Sequence, residues 1–109
     1  PSRYEPCGLN QMYSLRYGTP PVVRTTGGLA DTVVNATVEN LADGRATGFS
    51  FGDYTAAALY ETVKWALTLM HDRPADFQQV VRTAMAQDWS WDRSAVMYEA
   101  LYRKVCNLV

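Results

Sequence analysis

The chain has 109 residues, about the size of one ordinary domain, which predicts one hydrophobic core and no second. At 48% hydrophobic and 19% charged it lies in the globular range, which excludes disordered and collagenous classes. Ten basic residues against eleven acidic ones give a net charge of −1, a balance that excludes the strong positive field suited to nucleic acid or an anionic membrane.

Cys7 and Cys106 stand at opposite ends with no metal-ligand spacing, and His71 is the single histidine, so no zinc site is expected. Two isolated cysteines fit a reduced, cytoplasmic protein. No apolar run approaches the ~20 residues of a membrane span, and the opening residues have no signal-peptide core. A chain that starts at Pro1, directly in a dense motif, reads as part of something longer.

A first helix is expected over residues 9–17, where Leu9, Met12 and Tyr13 share a face, Gly18 suits the position after the last turn, and Pro20-Pro21 prevents continuation. Val22–Arg24 reads as a short strand. Residues 25–29 form a tight glycine-containing loop leading into a helical turn at 30–34, while residues 35–47 show no clear period and are expected to form a surface loop. Residues 48–51 alternate at period two, a second strand.

Downstream, Thr55 is a plausible cap for a helix whose apolar stripe is Leu59, Val63, Ala66, Leu67 and Met70. Pro74 suits the first turn of the next helix, with Phe77, Val80, Val81, Ala84 and Met85 on one side. Ser90 caps a last helix carrying Trp91, Ala95, Tyr98, Tyr102 and Val105 on one face. The expected class is α/β, with short parallel strands followed by three helices. Two strands make a very small sheet, so further strands are expected upstream of Pro1, and an open sheet edge is expected to favour self-association.

The segment richest in chemistry opens the chain: Pro1-Ser2-Arg3-Tyr4-Glu5-Pro6-Cys7-Gly8-Leu9-Asn10-Gln11. A carboxylate, Glu5, precedes a glycine and a helix start. The first helical turn leaves backbone N–H groups unpaired beside a partial positive charge, which suits a phosphate or another anion. Gly8 removes a Cβ from the approach to that backbone. One loop thus offers donors for a diphosphate and an acceptor for a sugar. Equally, Glu5 could be solvated or capping, with Gly8 only completing a turn. Gly27-Gly28 fits either an anion-binding nest or a tight turn between strand and helix.

Ser2-Arg3-Tyr4-Glu5-Pro6-Cys7-Gly8-Leu9-Asn10-Gln11 closely resembles the Ser-Arg-(Phe/Tyr)-Glu-Pro-Cys-Gly-Leu-x-Gln motif of bacterial glycogen synthases and plant starch synthases. Further matching blocks follow in order: Tyr17-Gly18-Thr19, the run from Val23 to Val33 through Gly27-Gly28, Glu39 to Gly44, Gly48-Phe49, and Ala84 to Trp91. The resemblance implies two Rossmann-like lobes around a cleft, with this chain the carboxy-terminal part of the donor-binding lobe. It implies transfer of glucose from ADP-glucose to the non-reducing 4-hydroxyl of an α-1,4-glucan with retained configuration, without a metal or other cofactor. By the same resemblance Glu5 is the catalytic acid group that meets the donor glucose. The backbone at Cys7 and Gly8 contacts sugar hydroxyls, and that at Leu9 and Asn10 contacts the diphosphate. The family's phosphate-binding arginine and lysine lie outside this segment, so the chain alone is expected to be inactive. Some related glycosyltransferases carry a second glutamate where this chain has Tyr13, which argues against a paired-carboxylate mechanism. A non-catalytic glucan-binding or assembly module with the same fold is the alternative.

Overall fold

A computed structural model describes residues 1–107. The elements run α1 (Asn10–Arg16), β1 (Val22–Arg24), α2 (Gly27–Thr32), α3 (Val38–Ala42), β2 (Phe49–Phe51), α4 (Ala56–Asp72), α5 (Pro74–Ala86) and α6 (Trp91–Val105). Both strands are parallel, with Val22 opposite Phe49 and Arg24 opposite Phe51, and α2 and α3 form the crossover between them. A parallel pair needs such a crossover, and here the segment joining the strands fills that role.

The crossover differs from expectation. Residues 35–47 are not a surface loop: they contain α3, and Ala36, Leu41, Ala46 and Thr47 are buried. Polar side chains tie the segment in place. Thr37 caps α3 by accepting from the Asn40 N–H, Asn35 Oδ1 accepts from the Ser50 N–H at 3.0 Å, and Thr47 Oγ1 accepts from the Val34 N–H at 2.9 Å. A five-residue helix with one buried leucine is too short to display a 3.6-residue period, so hydrophobic patterning could not reveal it.

The main core gathers Ala36, Leu41, Ala46, Phe49, Leu69 and Val80, with Trp65, Ala66 and Phe77 against it. Phe49 and Phe77 stack with ring centroids 6.4 Å apart, and Trp65 Nε1 donates to the Ala36 carbonyl at 2.8 Å. Thr55 and Pro74 open α4 and α5 as expected. The buried face of α4 is rotated from the predicted one. Leu69 is fully buried and Trp65 and Ala66 pack inward, whereas Val63, Leu67 and Met70 are exposed. Two apolar stripes share this helix, and contact with β2 and α5 selects the narrower one.

Ser90 caps α6, its hydroxyl accepting from the Arg93 N–H. Asp88 just before it is held below the usual carboxylate range, first by the Ser90 hydroxyl and then by the Ser90 N–H. Among the described residues α6 buries none of its side chains, and Trp91 is 81% exposed. Trp91 therefore takes no part in the core of this chain. No helix among the described residues is long and apolar enough to cross a membrane.

The two faces of α4 should respond differently to truncation. Leu69→Ala is expected to cost about 2–5 kcal/mol through lost burial and a cavity, while Val63→Ala should cost no more than about 0.5 kcal/mol. Urea denaturation of the two variants compares them directly, and similar midpoints would contradict the rotated face.

Candidate functional site

The loop before α1 and the end of β1 border a cleft of about 770 Å³, lined by Glu5, Gly8, Leu9, Asn10, Tyr13 and Arg24 among others. Four of the five site residues expected from the sequence therefore meet at one concavity. The fifth, Cys7, is exposed and does not line it. Glu5 is half-buried and its carboxylate forms no salt bridge among the described residues. Leu9 precedes the first residue of α1 and gives it no side-chain cap, and the backbone N–H groups of Gly8, Leu9 and Asn10 find no protein acceptor among the described residues. The cleft thus brings a free carboxylate beside a run of free amide donors.

The loop reaches this shape because its carbonyl groups are held by donors from β1, α2 and α1. The Arg3 carbonyl accepts from Arg24 Nη1 at 2.6 Å, and Arg24 Nε donates to the Gly52 carbonyl at 2.9 Å. Both guanidinium groups, of Arg3 and Arg24, lie 5.5 Å from the centre of the Tyr54 ring, a cation–π arrangement that ties the start of the loop to the exit of β2. The Glu5 carbonyl accepts from the Gly28 N–H at 2.8 Å. The carbonyls of Cys7 and Gly8 accept from Gln11 Nε2 at 2.8 and 3.0 Å.

Glycine is required where these backbones meet. A Cβ on Gly27 would collide with the Glu5 carbonyl, and one on Gly28 with the Cys7 backbone. Gly27-Gly28 is therefore a close-approach surface for the loop; the Gly28 N–H is already committed to Glu5 and is not part of an anion nest. Gly8 adopts φ +78°, and a Cβ there would press on Gln11 Oε1 at 2.7 Å. Arg24 and Gln11 were not singled out for function in the sequence. Their signal lay only in the matching blocks that contain them, because an arginine on a strand and a glutamine in a helix carry no pattern of their own.

His71 is exposed in the last turn of α4, away from the cleft-lining residues. Trp65 is a core residue, and Trp89 is half-buried with the Arg93 guanidinium 5.8 Å from its ring centre. Among the described residues, no group of three or more His, Cys, Asp or Glu side chains is placed to hold a metal ion.

Because the loop rests directly on the glycine pair, Gly28→Ala should push residues 5–7 outward and cost about 1–3 kcal/mol, as overpacking does. Thermal unfolding reads the loss; a variant as stable as the parent would show that the backbones do not touch.

No protein-family model matches the chain. It is 57% identical over 103 residues to the glycogen synthase of Hydrogenovibrio crunogenus, with 94% of this chain and 21% of that protein covered. It is 58% identical over 107 residues to the glycogen synthase of Thioalkalivibrio sulfidiphilus, with 98% of this chain and 22% of that protein covered. The fold superimposes with a TM-score of 0.82 and 33% identity on the catalytic domain of starch synthase IV from Arabidopsis thaliana bound to ADP and acarbose, covering 94% of this chain and 21% of that one. The chain thus spans about a fifth of the length of the relatives it matches. Sequence and fold agree: nearly the whole of this chain is similar to one part of the glycogen and starch synthases.

Proposed function

We propose that residues 1–109 are the carboxy-terminal part of the donor-binding lobe of a retaining glucosyltransferase, which moves glucose from ADP-glucose to the non-reducing 4-hydroxyl of an α-1,4-glucan. The observation that carries this is the meeting of Glu5 with the free amides of Gly8, Leu9 and Asn10 at one cleft. The names of the bacterial relatives and the ADP and acarbose bound to the Arabidopsis protein support the same substrate classes.

In this reaction the bond between the anomeric carbon and the diphosphate breaks, leaving positive charge on the sugar and negative charge on the phosphate. Amides already aimed at the phosphate stabilise its growing charge without reorganising, a contribution larger in the transition state than in the bound substrate. Leu9 and Asn10 supply these donors at the mouth of α1. Gly8 and the main chain of Cys7 meet the sugar hydroxyls, while Glu5 accepts from a hydroxyl and sits beside the cationic carbon. Cys7 acts through its backbone, since Cys7 is absent from the residues that line the cleft and its carbonyl is held by Gln11.

The same proposal holds that the cations for the phosphate come from outside this chain, so the chain alone does not turn over, and that the protein works in the cytoplasm. Self-association of the isolated chain belongs to it as well, supported by the unpartnered apolar side chains of α6.

In the protein that carries this chain, Glu5→Ala is expected to slow glucosyl transfer by about 10²-fold, the scale of losing one transition-state contact. Steady-state kinetics with ADP-glucose and a glucan acceptor measures it. A near-normal kcat would remove Glu5 from the chemistry.

A further inference from the structure

Gln11 is only 3% exposed although it stands in the first turn of α1, one residue after the exposed Asn10. Its Nε2 lies 2.8 Å from the Cys7 carbonyl, 3.0 Å from the Gly8 carbonyl and 3.2 Å from Thr32 Oγ1, so two hydrogens are shared among three oxygens. Thr32, at the end of α2, spends its own hydroxyl hydrogen on the Gly28 carbonyl at 2.6 Å. That bond turns a lone pair of Thr32 toward Gln11 and fixes the amide between the two elements. Among the described residues no other polar side chain reaches two successive carbonyls of the loop.

The peptide group is planar and trans, so the oxygen of one residue and the N–H of the next point in opposite directions. Holding the Cys7 carbonyl therefore aims the Gly8 N–H, and holding the Gly8 carbonyl aims the Leu9 N–H. Both N–H groups lack a protein acceptor and both residues line the cleft. A hydrogen bond accepted at a carbonyl also polarises its peptide and strengthens the N–H on the far side. Glycine at position 8 lets the second plane rotate to φ +78°, where both carbonyls face the same amide.

We propose that Gln11, braced by Thr32, is a positioning residue of the transfer reaction: it sets the planes of the Cys7–Gly8 and Gly8–Leu9 peptides so that two amides face the sugar and the departing diphosphate. This rests on the donor-site reading above. It assigns no contact between Gln11 and substrate. The growing charge on the leaving group is met by donors whose direction a buried side chain determines, so misdirection weakens the transition state more than the bound donor.

Gln11→Leu keeps the size of the side chain and removes its donor. In the protein that carries this chain it is expected to lower kcat at least about tenfold, part of the 10²–10³-fold that complete loss of such a donor costs. KM for the nucleotide sugar should change by less than about threefold, with activity expressed per folded molecule. Thr32→Val should lower kcat in the same way and by less, and Thr32→Ser should recover it. Unchanged kcat in folded Gln11→Leu overturns the proposal. If Gln11→Leu does not fold, the Thr32 pair decides: equal kcat for the valine and serine variants overturns it as well.

A readout independent of activity separates this proposal from the transferase reading. Amide hydrogen exchange of Gly28, whose N–H is bonded to Glu5, should accelerate in Thr32→Val and Gln11→Leu while that of Phe49, bonded to Pro21, does not. Faster exchange at Gly28 alone supports the clasp even should the parent protein transfer no glucose, a result that would sink only the donor-site reading. Unchanged exchange at Gly28 sinks the clasp whatever the activity.

Discussion

The site depends on a backbone-to-backbone contact. The loop from Glu5 to Cys7 lies against Gly27 and Gly28 so closely that no side chain fits between them, and the Glu5 carbonyl takes its hydrogen bond from the Gly28 N–H. Each buried carbonyl must find a donor, since leaving one unpaired costs about 1–3 kcal/mol. In this loop the donors are Arg24 for Arg3, Gly28 for Glu5, and Gln11 for Cys7 and Gly8. The amides of Gly8 and Leu9 are left for the cleft. The free N–H groups of the loop are placed as a consequence of how its carbonyls are satisfied.

The elements that supply those donors are themselves held by the sheet. Val23, Leu29 and Val33 form a small cluster that packs α2 against β1, so the glycine pair cannot drift from the strand. The larger cluster around Phe49, Leu69 and Val80 lies on the other side of β2 and anchors α4 and α5. The loop that carries Glu5 and the free amides is thus mounted on two packed units and not on itself. Helix α6 contributes nothing to that support, because it buries no side chain among the described residues. Its apolar residues and the outer face of α4 are among the surfaces on which the described residues have little packing of their own.

The alternation of glycine-rich turn, parallel strand and helix explains why the cleft lies in this short region. Parallel strands end at one side of their sheet, and the turns that follow them gather there. Arg24 at the end of β1 and Gly52 just beyond β2 are joined by one hydrogen bond, and the site loop is tied to that junction. The segments around Glu5 and around Gly27-Gly28 are distant in sequence yet form a single contact.

Local rules were enough for the elements that announce themselves locally. The stop at Gly18 and the prolines after it, the capping threonine and serine of α4 and α6, Pro74 at the start of α5, and the alternation before Phe51 are all short-range signals, and each element lies where those signals put it. The opening motif likewise pointed to a ligand loop and, by resemblance, to the family. Three things depended on the tertiary structure. Helix α3 escaped because five residues with one buried leucine show no period, and the buried Thr47 because its hydroxyl accepts from the Val34 N–H 13 positions away. The inward face of α4 was decided by which of two stripes met β2 and α5. The Gln11–Thr32 clasp joins residues 21 positions apart, and hydrogen-bond geometry between elements cannot be read from spacing along a chain.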